Sequence, residues 1–161
     1  MISTRRRVEY AHGFIALKMF GEASQELHAI PFEEQFSPIA LGAWIDLHLA
    51  EERWDIVEGL SRKLLAIDPE NAGAWITLGC AIRRTDSVTA ARDLLRGLVE
   101  KFGAAHAVFH YNLACYHCLL GETAAARESL ANACRMDAAF KETALDDPDL
   151  KAMWDEPTPS S

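Results

Sequence analysis

Trp75-Ile76-Thr77-Leu78-Gly79 is an apolar helical run whose pattern returns, degraded, along the whole chain. Aligned on one small residue in the helix that follows, Ala23, Val57, Ala91 and Ala126 superpose at steps of 34, 34 and 35 residues. Positions upstream agree independently: Tyr10, Trp44, Leu78 and Leu113; then Ala11, Ile45, Gly79 and Ala114; then Phe14, His48, Ile82 and His117. Downstream, Leu27, Ser61, Leu95 and Leu130 align, as do Ile30, Leu64, Leu98 and Ala133. Nearly all these positions are apolar or small and recur at helical spacing. A helix pair cannot bury its apolar face alone, so repeated pairs must stack. The small residues let two backbones approach closely, and larger ones fill the space between pairs. Trp75 is expected to be such a filler.

Working outward, the pattern predicts helices at about 5–18, 22–30, 38–50, 54–67, 72–84, 88–102, 107–120 and 123–136. Ser37 before Pro38 reads as an N-cap followed by proline in the first helical turn. Asp86-Ser87 precedes another helix, and Gly21 and Gly121 are placed in the turns between paired helices. Alternating strand runs and Asn-Gly hairpin turns are scarce. Within 161 residues, half of them hydrophobic, a single domain over 1–154 is expected. Leu150, Met153 and Trp154 fall on one face of a short helix that Asp147 and Pro148 open. The segment 141–154 is therefore expected to cap the exposed end of the last pair, and the Pro/Ser-rich 155–161 to be a disordered tail.

The run Trp75-Ile76-Thr77-Leu78-Gly79, with Ile82, Ala91, Leu95 and Leu98, resembles the signature of the tetratricopeptide repeat family, in a small bacterial-type member. Ile67-Asp68-Pro69-Glu70-Asn71 resembles the family's closing motif, and Tyr111-Asn112-Leu113-Ala114-Cys115-Tyr116 is a variant of its opening. The repeats cover about 4–30, 38–71, 72–105 and 107–140. Ser61 and His48 stand where the family has larger apolar residues, Gly103 and Ala138 replace the closing proline, and Phe32 to Ser37 is an extra connection. The resemblance implies an all-α, right-handed superhelix of about four helix pairs with a short C-terminal capping helix. It also implies that the first helix of each pair lines a concave groove. The residues not used for stacking include His12, Ile15, Gly42, Ala43, Asp46, Leu49, Ile76, Thr77, Cys80, Arg83, Arg84, Tyr111, Asn112, Cys115, Cys118 and Leu119. Arg83 and Arg84 are the strongest anion contacts among them, since guanidinium holds a carboxylate with two parallel bonds. One subgroup of the family clamps chaperone C-termini with lysines, asparagines and an arginine. Asn112 imitates one asparagine, but Ile76 and Cys80 stand in place of the other donors, so a terminal carboxylate would be poorly held.

Net charge is −8, of which about −5 lies between Glu142 and Glu156. That balance argues against phosphate backbones and nucleic acid. No stretch has the length of a membrane span, and the basic Arg5-Arg6-Arg7 is not followed by a secretory apolar region, so a cytoplasmic location is expected. Cys80, His106, His110, Cys115, His117 and Cys118 form the one cluster of metal-type or redox-type residues. Cys115 and Cys118 lie within a helix rather than on a turn or at a helix start, where zinc-binding or reactive thiols belong. They read as packing or groove residues and reduced thiols, and Cys134 as buried. No metal, cofactor or catalytic residue is expected. The expected function is a non-catalytic adaptor or scaffold that binds a protein or peptide partner in the groove. The alternatives are a dedicated, secretion-type chaperone, a cysteine-based metal or redox protein, and self-association as a homo-oligomer.

Overall fold

The computed structural model describes residues 1–155, and among them every regular element is helical. The α-helices are α1 (Thr4–Ala16), α2 (Phe20–His28), α3 (Pro38–Ala50), α4 (Trp54–Ile67), α5 (Ala72–Thr85), α6 (Val88–Phe102), α7 (Ala107–Leu119), α8 (Thr123–Met136), α9 (Ala139–Asp146) and α10 (Lys151–Asp155). Short 3-10 turns occupy Phe32–Glu34 and Pro148–Leu150. Eight of the α-helices match the expected set closely. The ninth was not anticipated: with Ala138 where a proline would end the repeat, the chain re-enters a helix, and Asp137 Oδ1 accepts the Ala139 N–H at 3.0 Å. Asp155 closes α10, and the rest of the tail expected to be disordered, 156–161, lies outside the described residues.

Length argued for one domain, but the chain forms two compact units, Met1–Ala81 and a second beginning at Ile82. In the first unit α1 packs on α2, α3 packs on α4, and α3 also touches α1 and α2. Val8, Ala11, Ala23, Leu27, Ile30, Ala40, Ala43 and Leu47 form its core, flanked by Phe14, Ile15, Phe20 and Trp44. Caps set the helix starts. Ser3 accepts from Arg6 N–H, Ser37 from Ala40 N–H at 3.4 Å, and Asn71 Oδ1 from Ala74 N–H at 2.9 Å. In the second unit α7 packs on α6 and α8, Phe102 stacks on Phe109 at 5.4 Å, and Ser87 caps α6.

Burial follows the repeat. Ala23, Val57, Ala91 and Ala126 have no exposed surface. Leu27, Ser61, Leu95 and Leu130 are buried too, as are Ala11, Ile45, Gly79 and Ala114. Ser61 is no anomaly of volume. Three pairs place Ala and then Leu four residues later on the same helical face; α4 places Val57 and then Ser61. A larger residue followed by a smaller one fills similar space, which tightly packed interiors tolerate best. The Ser61 hydroxyl, however, has no hydrogen-bond partner among the described residues. Trp75 departs from expectation. It is half-buried, and its indole N–H donates to the Pro69 carbonyl at 2.9 Å, closing the turn before α5 instead of filling a core.

The turns inside the pairs also repeat. The carbonyls of Phe14, His48 and His117 accept the N–H of Met19, Arg53 and Glu122, each at 2.9 Å. The residue just before each donor is left-handed: Lys18 at φ 58°, Glu52 at φ 57° and Gly121 at φ 75°. This is the Schellman arrangement that ends helices. Gly21 was expected in the first of these turns, but it lies one residue inside α2. In the remaining pair Ile82 O takes the Asp86 N–H at 2.9 Å, and the left-handed residue is absent.

Two stability predictions follow from this geometry. Ser61→Ala removes a buried unpaired hydroxyl, and the midpoint of urea unfolding is expected to rise by the equivalent of about 1 kcal/mol; a loss of that size would contradict the burial of the hydroxyl. Glu52→Gly relieves a left-handed non-glycine residue, and a gain of roughly 0.5–1 kcal/mol is expected in the same assay.

Candidate functional site

The residues expected to face a partner divide between the two units. In the first, His12 and Asp46 occupy the same repeat position on α1 and α3, and His12 Nε2 lies 3.0 Å from Asp46 Oδ2. Both are about half exposed. Ile15, Gly42, Leu49, Ile76, Thr77 and Cys80 are half-buried, whereas Ala43 is part of the core. A partly apolar, partly polar strip of this kind suits an extended segment or a helix.

In the second unit the same helical face is covered. Tyr111, Cys115 and Cys118 were expected to be open to a partner, but all three are buried. The cover is the chain's own segment from Asp147 to Asp155, whose 3-10 turn and α10 pack on α7, with α10 also touching α8. Asp147 starts the turn: its Oδ1 accepts the Asp149 N–H at 2.9 Å, and Pro148 sits at the first position. Asp147 Oδ2 accepts the Tyr111 hydroxyl at 2.7 Å and lies 3.7 Å from Cys115 Sγ. Asp149 receives both ends of the Arg83 guanidinium, with Nη2 donating to Oδ1 at 2.8 Å and Nη1 to Oδ2. Leu150 and Met153 are fully buried. Arg127 donates to the Met153 carbonyl at 2.9 Å, and the Trp154 indole donates to the Ala144 carbonyl at 3.0 Å. Phe140 stacks on Tyr111 at 4.6 Å.

Magnitudes separate the roles within this strap. Leu150 and Met153 contribute about 1.5–3 kcal/mol each by burial. The Arg83–Asp149 pair is nearly four-fifths buried yet still wetted, and such a pair is worth roughly 1 kcal/mol. The apolar anchors therefore supply more of the strap's favourable free energy than the ion pair does, and the directional contacts of Asp147 and Asp149 fix where the turn sits on α7 and Arg83.

Electrostatics fit a hydrogen-bonded lock. Burial, reinforced by the carboxylates of Asp147 and Asp149, pushes the Cys115 thiol far above its ordinary range. Burial and the bond to Asp147 do the same to the Tyr111 hydroxyl. The hydrogen bond to Asp149 raises Arg83. A reactive or redox thiol needs the opposite shift. The donor atoms of Cys115, Asp147 and Asp149 lie within 4.8 Å of one another, a spacing that suits a cation. Their chemistry does not: both Asp149 oxygens face Arg83, both Asp147 oxygens already accept hydrogen bonds, and the thiol is held protonated.

The other singled-out residues serve packing and turns. Asn112 donates to the Val108 carbonyl of its own helix at 3.0 Å and so is turned away from the clamp role. His117 bonds Glu122, which also receives Arg92, across the turn between α7 and α8. That bond to His117 holds the Glu122 carboxyl below its usual range. His48 bonds Glu51 at 2.9 Å and stacks on Trp44. His106 packs beside Phe102 and Phe109. A Cβ on Gly103 would run into the Val99 carbonyl and come within 2.9 Å of the His110 imidazole, so a larger residue there forces the backbone to shift. Arg84 and Leu119 are exposed, and Cys134 is half-buried. All four cysteines are free thiols. No helix among the described residues is long and apolar enough to cross a membrane.

Arg83 was expected to hold a partner's anion, and within the chain it holds Asp149. Asp147 was expected only to open the capping helix and Asp149 only to add to the acidic charge, although two aspartates bracketing Pro148 beside an apolar run were a usable signal.

No protein-family model matches the chain, and no curated protein matches it.

The pKa directions set a pH profile. Glu122, depressed in the fold, contributes stability that is present above its unfolded value and lost as pH falls through the folded one. Cys115, raised in the fold, contributes stability that is complete below the unfolded thiol value of about 8.5 and is lost as pH rises beyond it. The melting temperature is therefore expected to fall from about pH 8.5 upward, and in Cys115→Ala the fall should begin only near the ordinary tyrosine value of about 10. Identical alkaline limbs in the two proteins would contradict this assignment.

Proposed function

We propose that this chain is a non-catalytic adaptor of the tetratricopeptide-repeat kind, which binds a segment of a protein partner along the first helices of its pairs. One observation carries the reading. The α7 face, together with Arg83 at the end of α5, already holds a stretch of polypeptide through Arg83, Tyr111 and the burial of Leu150 and Met153, which is the chemistry of peptide recognition. The four buried positions Ala23, Val57, Ala91 and Ala126, at a period of 34 or 35 residues, support the repeat assignment. The right-handed superhelix of four pairs belongs to the same proposal. In the first unit Asp46, Leu49, Ile76, Thr77 and Cys80 keep surface toward solvent and are the residues offered to the partner.

Photo-crosslinking tests this. A photoreactive residue at Leu49 or Ile76 is expected to trap a discrete partner in the native source, and the trap is expected to be lost in Asp46→Arg. The same group at Glu100, exposed on a second helix, is expected to trap none. Equal trapping from both positions, or none from Leu49 and Ile76, would overturn the proposal.

A further inference from the structure

The repeat breaks its own pattern where the strap's carboxylates sit. Arg83 shares a repeat position with Ile15 and Leu49, and Tyr111 with Val8, Gly42 and Ile76. Only here does that position turn polar in a way that answers an anion. A plain cap needs an apolar cover, and Leu150 and Met153 provide one. Arg83 on Asp149 and Tyr111 on Asp147 add directional recognition that a cover does not require.

The geometry points to the α7 face, with Arg83, as a peptide site that the chain's own strap fills in cis, and that accepts from a partner protein a segment of the same make. That segment is an acidic turn of the Asp-Pro-Asp type, followed at once by Leu and, three residues later, by Met. The inference rests on the partner-binding reading above and names the partner's chemistry. The turn carboxylates meet Tyr111 and Arg83, and the Leu and Met take the seats of Leu150 and Met153. The strap is a tethered competitor. It raises the concentration a partner must reach, and any weakening of its polar contacts exposes the site.

The test uses the full chain and a labelled peptide with the sequence of residues 145–155, followed by fluorescence anisotropy. Binding to Asp147→Asn/Asp149→Asn is expected to be at least about tenfold tighter than to the native chain, because the competing strap is weakened. Adding Arg83→Gln to that variant is expected to remove about tenfold of the affinity. A peptide with both its Leu150 and Met153 equivalents changed to serine is expected not to bind. Equal affinity for native and variant chains, or affinity indifferent to Arg83→Gln, would overturn the inference. So would a doubled particle mass of the variant without peptide, which would assign the site to exchange of tails between two copies. Should the double variant fail to fold, hydrogen exchange of the native chain decides: amides of residues 150–154 are expected to exchange well before those of α7, and exchange of both only at global unfolding would overturn it. If the peptide fails while Leu49 and Ile76 still trap a partner, this inference falls and the adaptor reading stands.

Discussion

Ala23, Val57, Ala91 and Ala126 have no exposed surface, and each lies on the second of two consecutive helices. The distance between two packed helices is set by the side chains at their contact. Small residues there bring the backbones close, and the neighbouring Leu27, Leu95 and Leu130 then have a defined space to fill. α4 reaches the same end by another route, with Val57 large and Ser61 small. The loop geometry depends on this closeness. A tight pair leaves room for only a short reversal, and three of the pairs reverse through the same left-handed residue and the same 2.9 Å bond. Lys18 and Glu52, both exposed, take that conformation at some cost, whereas Gly121 takes it freely.

The strap shows a second kind of balance. Its apolar anchors are buried completely, and the carboxylate contacts fix the position of its turn. Arg83 and Tyr111 are thus tied to the conformation of the last described residues. The same contacts explain why Cys115 is a quiet thiol. A buried sulfur beside two carboxylates keeps its proton, and the two aspartates spend their lone pairs on Tyr111, Arg83 and their own turn. An arrangement that looks like a ligand set by residue type is a hydrogen-bonded lock by geometry.

Much of the helical content was legible in the chain. The period aligned Ala23 with Val57, Ala91 and Ala126, and Ser37-Pro38 marked the start of α3 to the residue, because a capping side chain and a proline act locally. Helix ends were harder. Gly21 suggested a turn, yet Lys18 makes it, since packing can impose a left-handed residue that local preference would not choose. Trp75 was the most conspicuous residue of the most conspicuous motif, and it closes a turn on Pro69. Its size said that it would be buried somewhere, but not which of its faces would be covered.

By itself, the sequence determined that the chain folds into paired helices with small residues at their contacts, because helical periodicity, capping and turn chemistry are encoded within a few residues of each other. Only the tertiary structure decided that the α7 face is covered by the chain's own segment from Asp147. Asp147 and Asp149 meet Tyr111 and Arg83 across separations of 36 and 66 residues. No local pattern records a meeting at that distance: it arises when the turn at Pro148 drops Leu150 and Met153 into α7 and α8 and carries the two carboxylates with them.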